Sequence, residues 1–533
     1  MTVASAACPH HRKRQFRSRN PFDYLVRSRI VLVAFAISCG VLYPALLPLW
    51  EGFDEPFHYS YVRHLTCTGT LPTLTQSSLS AEIVASFQLA PQSLSVAQNI
   101  PGVLTYGQHL ALSVAERAEL RRKLEIIRPD CTFSRGGNYE AHQAPIAYAI
   151  LAIFPAGSLL QHVLLLRIAG TLLAIAISFV AVSWLAQILA TSQAATNAVL
   201  LCMFSSQMYW ATIAHVTNDW LAVPLVMLAF SAIAALAANP SRKRALILAG
   251  VLSAGLLTKA YFLAIFAAAI VSTPLLARRY LPTVAALPVL VCGWWYWRNI
   301  TLYGNITGMQ ESLHGTTATD VLRAATVMDW PRHIGHMAHA TFWTGNNSFG
   351  AFSNTTVNLV LILLFIGFVS YLLTIKSYGT RAEFSLAVGV AFFVTAIAWS
   401  AATSYADSGG ITMGASPWYA QGLLAPVLTI VTLGFWRSGR LGRFLLQLQC
   451  ALWTWVLLLT FAVKLIPLYS GHAARGKLQN LWSFTGSGKG SEILNHTAML
   501  PSAAIYGLTF LTLLLSLLSA AVTITTLTGK NPR

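Results

Sequence analysis

The sequence predicts an all-α fold, a polytopic helical bundle that crosses a membrane about twelve times, with juxtamembrane helices in its first outer loop. Of its 533 residues, 55% are hydrophobic and 10% are charged, and the mean hydropathy is +0.60. Soluble domains carry roughly 25% charged residues. Apolar runs of about 20 residues recur along most of the chain, as transmembrane helices require. Segments of alternating polar and apolar residues are missing, which argues against a β-barrel.

The net charge of +18 comes from 35 Lys and Arg against 17 Asp and Glu. The basic residues lie before the first apolar run and in short loops between later runs, as the positive-inside rule describes. We therefore assign this charge to cytoplasmic segments rather than to nucleic-acid binding, and we place the N-terminus in the cytoplasm. The basic segments are 12–19, 241–244, 278–279, 376–381 and 437–443.

The apolar runs set the order of the predicted spans. They are 30–50, 167–190, 195–214, 219–238, 245–258, 261–277, 281–298, 356–375, 382–404, 418–436, 443–468 and 498–526. A further run, 144–165, is ambiguous. If it crosses fully, the basic segment 241–244 falls outside. If it lies on the outer face or dips into it, the basic loops all fall inside. We predict a juxtamembrane or re-entrant helix here.

This map divides the chain into four parts. Residues 1–29 form a basic cytoplasmic N-terminus, and 30–298 form a membrane module that includes the outer loop 51–143 and the helix 144–165. An outer loop, 299–355, leads to a second membrane module, 356–533, which contains the outer loop 469–497. Loops of this length are usually functional.

Two features of the outer loops stay open at the level of sequence. Cys67 and Cys131 fall in the same loop, where a disulfide and two free thiols fit equally well. Trp343 and Phe349 could stack on a sugar or lipid, but aromatic residues at this depth are more often interface anchors.

An acid pair, Asp54 and Glu55, follows the first apolar run directly. Charge at a bilayer boundary is costly unless it is used or solvated. The pair therefore suggests general-base or metal-assisted chemistry just outside the membrane. A structural interpretation also fits, because Asp followed by Glu-Pro is typical of a helix start.

Other polar residues gather at the same predicted face. Asp219 follows the third span, and it either supports the site or caps the next helix. Lys259 and Arg298 end later spans, where they either bind an anion or extend to the headgroups. Four more candidates for substrate binding are His58, Tyr59, Glu140 and His142. The two histidines are more often hydrogen-bonded or interfacial than metal ligands, and no Cys/His spacing matches a zinc site.

These residue types suit one kind of reaction. A hydroxyl that attacks an electrophilic carbon must lose a proton, and a carboxylate can take it. A phosphate leaving group needs cations near the developing charge, which Lys259 and Arg298 could supply with or without a divalent ion.

Six segments resemble motifs of the glycosyltransferase-C superfamily, in particular its polyprenyl-phosphate-sugar members of the protein mannosyltransferase and aminoarabinose transferase type. The segments are 53–58 (FDEPFH), 138–145 (NYEAHQAP), 167–170 (RIAG), 218–219 (ND), 257–259 (LTK) and 297–304 (WRNITLYG). The chain departs from the family at Ala144-Pro145, where Pro-Pro is commoner, and in its longer first outer loop.

The resemblance implies transfer of a sugar from a polyprenyl-phosphate donor to a cell-envelope glycan, lipid or protein, at the extracytoplasmic face of a bacterial inner membrane. Asp54 is then the base, with Glu55 and Asp219 as supporting acids or metal ligands. Lys259 and Arg298 bind the donor phosphate. The implied cofactor is at most a divalent cation, Mg²⁺, Mn²⁺ or Ca²⁺, held by Asp54 and Asp219.

Two interpretations from other classes remain. A secondary transporter or lipid flippase places its charges near the midplane and often has inverted repeats, whereas these charges sit at one face and no clear repeat is visible. A non-catalytic scaffold for envelope assembly needs no acid–base set. Turnover of a lipid-linked sugar separates all three.

Overall fold

The computed structural model describes residues 21–93, 100, 102–309, 311, 314–340, 353–412, 417–472 and 478–528. Trp343 and Phe349 lie outside these residues, as does the basic segment 12–19. The described chain is a bundle of apolar helices with one two-stranded sheet. The predicted fold class, an all-α polytopic membrane protein, is confirmed.

The first half of the chain alternates long apolar helices with short helices in the first loop. Its helices are α1 (Pro21–Leu46), α2 (Glu55–Thr68), α3 (Ala81–Ser86), α4 (Tyr106–Ala111), α5 (Val114–Ile126), α6 (Ile146–Leu151), α7 (Leu159–Ile188), α8 (Gln193–Phe204), α9 (Gln207–Ile213), α10 (Asp219–Ala238), α11 (Arg242–Leu256), α12 (Phe262–Ala277) and α13 (Leu281–Tyr303). Strands β1 (Ser78–Ser80) and β2 (Phe133–Gly137) pair antiparallel, with Ser80 opposite Phe133, and a 3₁₀ turn spans Tyr139–His142.

The second half contains the remaining described helices, both long apolar ones and short ones. They are α14 (Ala318–Val327), α15 (Trp330–Ala340), α16 (Asn354–Tyr378), α17 (Arg381–Asp407), α18 (Leu424–Arg437), α19 (Gly439–Leu459), α20 (Ile466–Tyr469), α21 (Leu478–Ser487), α22 (Gly490–Thr497) and α23 (Ser502–Thr528). A 3₁₀ segment, Pro417–Leu423, precedes α18, and a π-helical segment, Thr460–Leu465, joins α19 to α20.

Nine helical stretches among the described residues are long and apolar enough to cross a membrane, against about twelve predicted spans. The difference arises in three places. The predicted span 195–214 divides into α8 and α9. The predicted span 245–258 corresponds to α11, which has 15 residues. The predicted spans 261–277 and 281–298 run together as one 42-residue stretch, because a short 3₁₀ segment links α12 to α13.

The ambiguous segment 144–165 does not form one continuous helix. It contains α6, which has six residues, and the first turns of α7, with irregular chain between them. A helix of six residues is about 9 Å long. The hydrocarbon core is about 30 Å thick, so α6 is too short to span it. Its place before α7 fits the predicted juxtamembrane helix.

Helix α10 lies at the centre of the bundle. It packs against α7, α11, α12 and α17, and 89% of its apolar window is buried. This placement fixes the two ends of the helix relative to its neighbours. Asp219, the first residue of α10, is therefore held at a defined position at one end of the bundle.

The first loop folds into a compact unit over that end of the bundle. The structure joins Cys67 to Cys131 in a disulfide, so of the two interpretations left open by the sequence, the structure has the bonded one. Beside it, Arg63 donates from Nε to Glu82 Oε1 at 3.1 Å and from Nη2 to the Asp130 carbonyl at 2.8 Å. These ties anchor the chain that leads through β2 to the Tyr139–His142 turn.

Candidate active site

A cavity of about 590 Å³ lies where the Tyr139–His142 turn meets the ends of α11, α12, α13 and α17. One part of its wall is polar and the other is apolar. The polar part is lined by Tyr139, Glu140, His142, Gln143, Lys259, Asn299, Asn305, Thr307, Glu311 and Tyr419. The apolar part follows the membrane helices through Leu256, Leu263, Ala264, Phe393, Ala396, Ile397 and Trp399. Trp399 is 46% exposed, so the cavity extends to the outer surface of the bundle.

Asp54 adjoins this cavity through Tyr139, whose hydroxyl donates to Asp54 Oδ1 at 2.5 Å. Asp54 occupies the N-cap position of α2, but its side chain makes no capping hydrogen bond. Its φ of 57° lies in the left-handed region, which costs free energy for a residue with a Cβ. The geometry therefore does not support the capping interpretation of Asp54, because the carboxylate points to Tyr139 instead.

A close approach at Gly52 helps to set this conformation. A Cβ at that position would lie 2.5 Å from the His215 ring, a distance that side chains do not tolerate. Glycine therefore lets the chain before Asp54 pass directly over His215.

Glu55 has a different environment from its neighbour. Both of its carboxylate oxygens are bonded to Arg167, Oε1 to Nε at 2.7 Å and Oε2 to Nη2 at 2.5 Å. Oε1 also accepts from the backbone N–H of Val216 at 2.9 Å, and both side chains of the ion pair are fully buried. The Arg167 guanidinium lowers the pKa of Glu55 against the opposing effect of burial. The structure does not bring Glu55 to the cavity wall.

Glu140 lines the cavity and is 7% exposed. Asn138 caps the turn that carries it, accepting from the Glu140 backbone N–H at 3.0 Å. Glu140 Oε2 lies 3.9 Å from His58 Nδ1 and has no hydrogen-bond partner in the described part of the chain. Burial, and then the nearby Asp54 carboxylate, raise the pKa of Glu140 to about 8. Glu140 therefore holds a proton at neutral pH.

The pKa of Asp54 is also affected by burial and by neighbouring charges. Burial raises its pKa above the usual value, whereas the Tyr139 hydrogen bond and the Lys259 charge act to lower it. Asp54, Glu140 and Lys259 thus lie close enough for each charge to affect the others. A carboxylate whose pKa moves towards the working pH is better suited to accept a proton.

Lys259 is the cation in the described polar wall of the cavity, and it is paired with Asp219. Its ammonium donates to Asp219 Oδ1 at 2.6 Å and to Oδ2 at 2.7 Å. The rings of Tyr419 and Tyr261 lie 5.0 Å and 5.7 Å from Nζ. Lys259 sits in the turn between α11 and α12, and Asp219 at the start of α10, so the pair joins two helix ends.

Asn218 holds these two turns together. Its side-chain amide donates to Gln143 Oε1 at 2.9 Å and to the Thr258 carbonyl at 3.3 Å. The neighbouring His142 donates from Nδ1 to the Tyr139 carbonyl at 2.7 Å, and burial lowers its pKa to about 4. The His142 ring is therefore neutral, with Nε2 as an acceptor.

Arg298 lies beside the cavity without being part of its described lining. Its Nη2 donates to the Pro72 carbonyl at 2.7 Å, and its guanidinium stacks 4.8 Å from the Trp295 ring. These contacts connect α13 to the first loop. The structure therefore places Lys259 in the cavity wall and Arg298 against the Trp295 ring, although both have the same predicted role.

Two other predicted substrate-binding residues, His58 and Tyr59, are buried and make their hydrogen bonds away from the cavity. His58 Nδ1 lies 2.7 Å from the Tyr148 hydroxyl, and burial holds the pKa of His58 well below its usual range. The Tyr59 hydroxyl lies 3.0 Å from His162 Nδ1. Neither side chain is among the residues found to line the cavity.

A divalent cation stays a prediction. The described residues contain no group of three or more His, Cys, Asp or Glu side chains arranged to hold a metal. Asp54 and Asp219, the predicted ligands, have Tyr139 and Lys259 as partners instead. A cation here would need ligands from the substrate as well.

Sequence reasoning missed several residues of the site. Tyr139 lies within a segment that the sequence singled out, but the sequence gives no sign that its hydroxyl would reach Asp54. Tyr419 and Tyr261 flank Lys259 from distant parts of the chain. Arg167 could have been recognised as a partner for an acid, because an arginine within an apolar run must be paired.

Comparisons with known proteins give a likeness at the level of structure. No protein-family model matches the chain, and no curated protein sequence matches it. The structure is similar to that of ArnT from Cupriavidus metallidurans bound to undecaprenyl phosphate, with 12% identity, a TM-score of 0.46, and coverage of 94% of this chain and 77% of that chain.

The structure is also similar to that of the Archaeoglobus fulgidus oligosaccharyltransferase in the apo form. The identity is 12% and the TM-score 0.41, with coverage of 95% of this chain and 56% of that chain. For AglB from Archaeoglobus fulgidus in complex with an inhibitory peptide and a dolichol-phosphate, the identity is 12% and the TM-score 0.40, with the same coverage. The identity is low in each case, so the function is argued below from this chain's own side chains.

Proposed function

We propose that the protein is a membrane glycosyltransferase that moves a sugar from a polyprenyl-phosphate donor to a hydroxyl acceptor. One observation carries the proposal. A single cavity has carboxyl groups and one ammonium at its polar end, and an apolar wall that extends along membrane helices to the surface of the bundle. That combination suits a substrate with a reactive head group and a long hydrocarbon chain.

The reaction breaks the bond between the anomeric carbon of the sugar and its phosphate oxygen. The electron pair of that bond leaves with the phosphate, giving free polyprenyl phosphate. A new bond forms between the anomeric carbon and the acceptor oxygen. The acceptor hydroxyl loses its proton, which passes to Asp54 and then to water.

Asp54 is the proposed base. The strained backbone directs its carboxylate to Tyr139 at the cavity rather than to the helix N-terminus. The proposed role needs an ionised carboxylate with a pKa near the working pH, and burial moves the pKa of Asp54 in that direction. Such base catalysis typically contributes about 10² to 10⁴-fold.

Glu140 is the proposed neighbour that keeps Asp54 effective. Two adjacent carboxyl groups in a buried site do not ionise together readily, and burial together with the Asp54 carboxylate raises the pKa of Glu140 to about 8. Glu140 therefore stays protonated and can donate a hydrogen bond to a sugar hydroxyl, while Asp54 accepts the proton.

Lys259 is the proposed contact for the donor phosphate, because it lines the same cavity as the Tyr139–His142 turn. A fixed cation near the departing phosphate stabilises the charge that develops there. The apolar wall, with Leu263, Phe393 and Trp399, is the proposed site for the first part of the prenyl chain.

The proposed location of the site is the extracytoplasmic face of a bacterial inner membrane. The disulfide Cys67–Cys131 lies in the loop that carries Glu140, and disulfides persist in oxidising compartments. The basic loop 241–244 lies at the far end of α10 from Asp219, as an inside loop should. The acceptor class stays open among envelope glycans, lipids and proteins.

Donor cleavage tests the proposal directly. The purified protein in lipid nanodiscs is incubated with undecaprenyl-phosphate-linked hexose or pentose and an envelope extract that supplies acceptors. We expect free undecaprenyl phosphate to accumulate, as measured by mass spectrometry. A flippase would move the intact donor across sealed vesicles without cleavage. Cleavage of neither donor, under conditions where the donor binds, would refute the proposal.

A further inference from the structure

The pairing of Lys259 with Asp219 raises a question about the proposed phosphate site. An ammonium has three N–H donors, and Asp219 accepts two of them. Both residues are buried, at 7% and 5% exposure. The cation that should attract the phosphate is therefore largely neutralised before any substrate arrives.

The geometry shows that the two sides of Lys259 are used differently. Lys259 lines the cavity together with Tyr261 and Tyr419, whereas Asp219 is not among the residues found in that lining. A phosphate in the cavity therefore meets the ammonium first, with the Asp219 carboxylate beyond it. The third N–H is the donor left for that phosphate.

The donor and the product of the proposed reaction carry different charges, so this arrangement affects their relative affinities. The donor is a phosphodiester with about one negative charge, whereas the product is a phosphomonoester with about 1.5 to 2 negative charges near pH 7. A lone buried lysine would bind the more highly charged product more tightly than the donor. Product release would then limit turnover.

We propose that Asp219 is a positioning residue that acts through Lys259 to keep the product from binding more tightly than the donor. Its carboxylate repels the extra charge of the monoester more than it repels the diester, so the two lipid phosphates bind with similar affinity. This inference rests on the proposed function. It differs from the predicted role of Asp219 as a supporting acid or metal ligand, because Asp219 touches neither the sugar nor the acceptor.

The position of Asp219 suits this role. It is the first residue of α10, a helix of 20 residues, so the helix dipole favours its negative charge. Asn218 fixes the same turn to that of Lys259 through the Thr258 carbonyl. The carboxylate is therefore held in place when a phosphate approaches.

The test compares two ligands on two proteins. The ligands are undecaprenyl phosphate and its methyl diester, and the uncharged alcohol undecaprenol is the control. Binding to the purified full chain is measured by native mass spectrometry. We expect the parent to bind the monoester and the diester within about threefold of each other, and Asp219→Asn to favour the monoester by about tenfold or more. Undecaprenol should bind both proteins equally.

Three further variants separate charge from structure. Asp219→Glu restores the charge and should return the ratio towards that of the parent. Lys259→Met should remove the effect of Asp219→Asn on the monoester. Glu383→Gln breaks another two-oxygen ion pair, with Arg437 at 2.8 and 2.9 Å, and should leave the ratio unchanged. The kinetic counterpart is stronger inhibition of Asp219→Asn by added undecaprenyl phosphate.

The outcomes distinguish the inference from the proposed function. If the parent binds and cleaves a donor but Asp219→Asn binds the monoester no more tightly, the inference fails and the proposed function stands. If the parent binds no prenyl phosphate, both fail. If Asp219→Asn does not fold, the parent protein alone tests the inference. A preference of the parent for the monoester over the diester above about tenfold contradicts the inference.

Discussion

Two buried acid–base pairs lie within the same end of the bundle, and they differ in what surrounds them. In the Glu55–Arg167 pair, both carboxylate oxygens are bonded to the guanidinium, and the arginine also donates to the carbonyls of residues 44, 47 and 48. In the Asp219–Lys259 pair, Lys259 lines a cavity, and its ammonium donates to both carboxylate oxygens of Asp219. In the first pair every guanidinium N–H is used, whereas the second pair adjoins a cavity.

The comparison shows that neighbours in sequence can have unrelated tasks. Asp54 and Glu55 are consecutive, yet Glu55 joins α2 to α7 while Asp54 contacts Tyr139 at the cavity. A buried ion pair with all its hydrogen bonds made fixes the position of the chain. A carboxyl group with an unused oxygen beside a cavity is the one to examine for chemistry.

The largest expected effect is a loss of folding stability when the buried Glu55–Arg167 pair is broken. Arg167→Met removes one partner and leaves the Glu55 charge buried, which typically costs about 3–5 kcal/mol. We expect the variant to unfold at a much lower temperature or to fail to accumulate, as measured by thermal unfolding in detergent. The exposed pair Arg122–Glu119 is the control, and its loss should not change the unfolding temperature. If Arg167→Met unfolds at the same temperature as the parent, the structural role of the Glu55–Arg167 pair is contradicted.

The next effect is on ligand affinity, and it separates Lys259 from Arg298. Lys259→Met should weaken binding of the donor by about ten- to a hundredfold, the scale of a lost charged hydrogen bond. Arg298→Met should weaken it less, because Arg298 is not among the residues found to line the cavity. Titration of the undecaprenyl-phosphate-linked sugar onto each variant measures the difference. Equal losses would place Arg298 at the phosphate as well.

The smallest effect, counted per pH unit, is a change of stability with pH. The pKa of Glu140 is raised to about 8, so between its usual pKa of 4.5 and 8 the folded protein holds a proton that the unfolded chain releases. This contribution to stability is complete below pH 4.5 and is lost as the pH rises through 8, with a slope of at most about 1.4 kcal/mol per pH unit. Glu140→Gln should flatten the slope in chemical unfolding. An unchanged slope would show that Glu140 is ionised at neutral pH.

The sequence was sufficient for the fold class, and it grouped several polar residues that the structure also brings together. Apolar runs and basic loops predicted a helical membrane bundle, because both follow from the physics of the bilayer. The same map placed Asp54, Glu140, Asp219 and Lys259 at one face. The structure brings these four together around one cavity and its adjoining turns.

The remaining features depend on tertiary contacts that sequence patterns do not encode. An arginine at the start of an apolar run implies an acidic partner, but nothing in the order of residues indicates that the partner of Arg167 is Glu55, or that Lys259 pairs with Asp219 across two turns. Arg298 looked equivalent to Lys259, because both are cations at the ends of apolar runs. They differ in whether the residue faces the cavity, which for Arg298 depends on its position around α13. An error of one residue in the predicted helix phase is enough to hide this difference.

The most direct test of the account is the turnover of Asp54→Asn. Asparagine keeps the size of the side chain and can still accept the Tyr139 hydrogen bond, but it cannot take a proton. We expect release of undecaprenyl phosphate from the sugar donor to fall by about 10²-fold or more, with unchanged donor binding and unfolding temperature. Turnover within a few-fold of the parent at equal expression would contradict the assignment of Asp54 as the base.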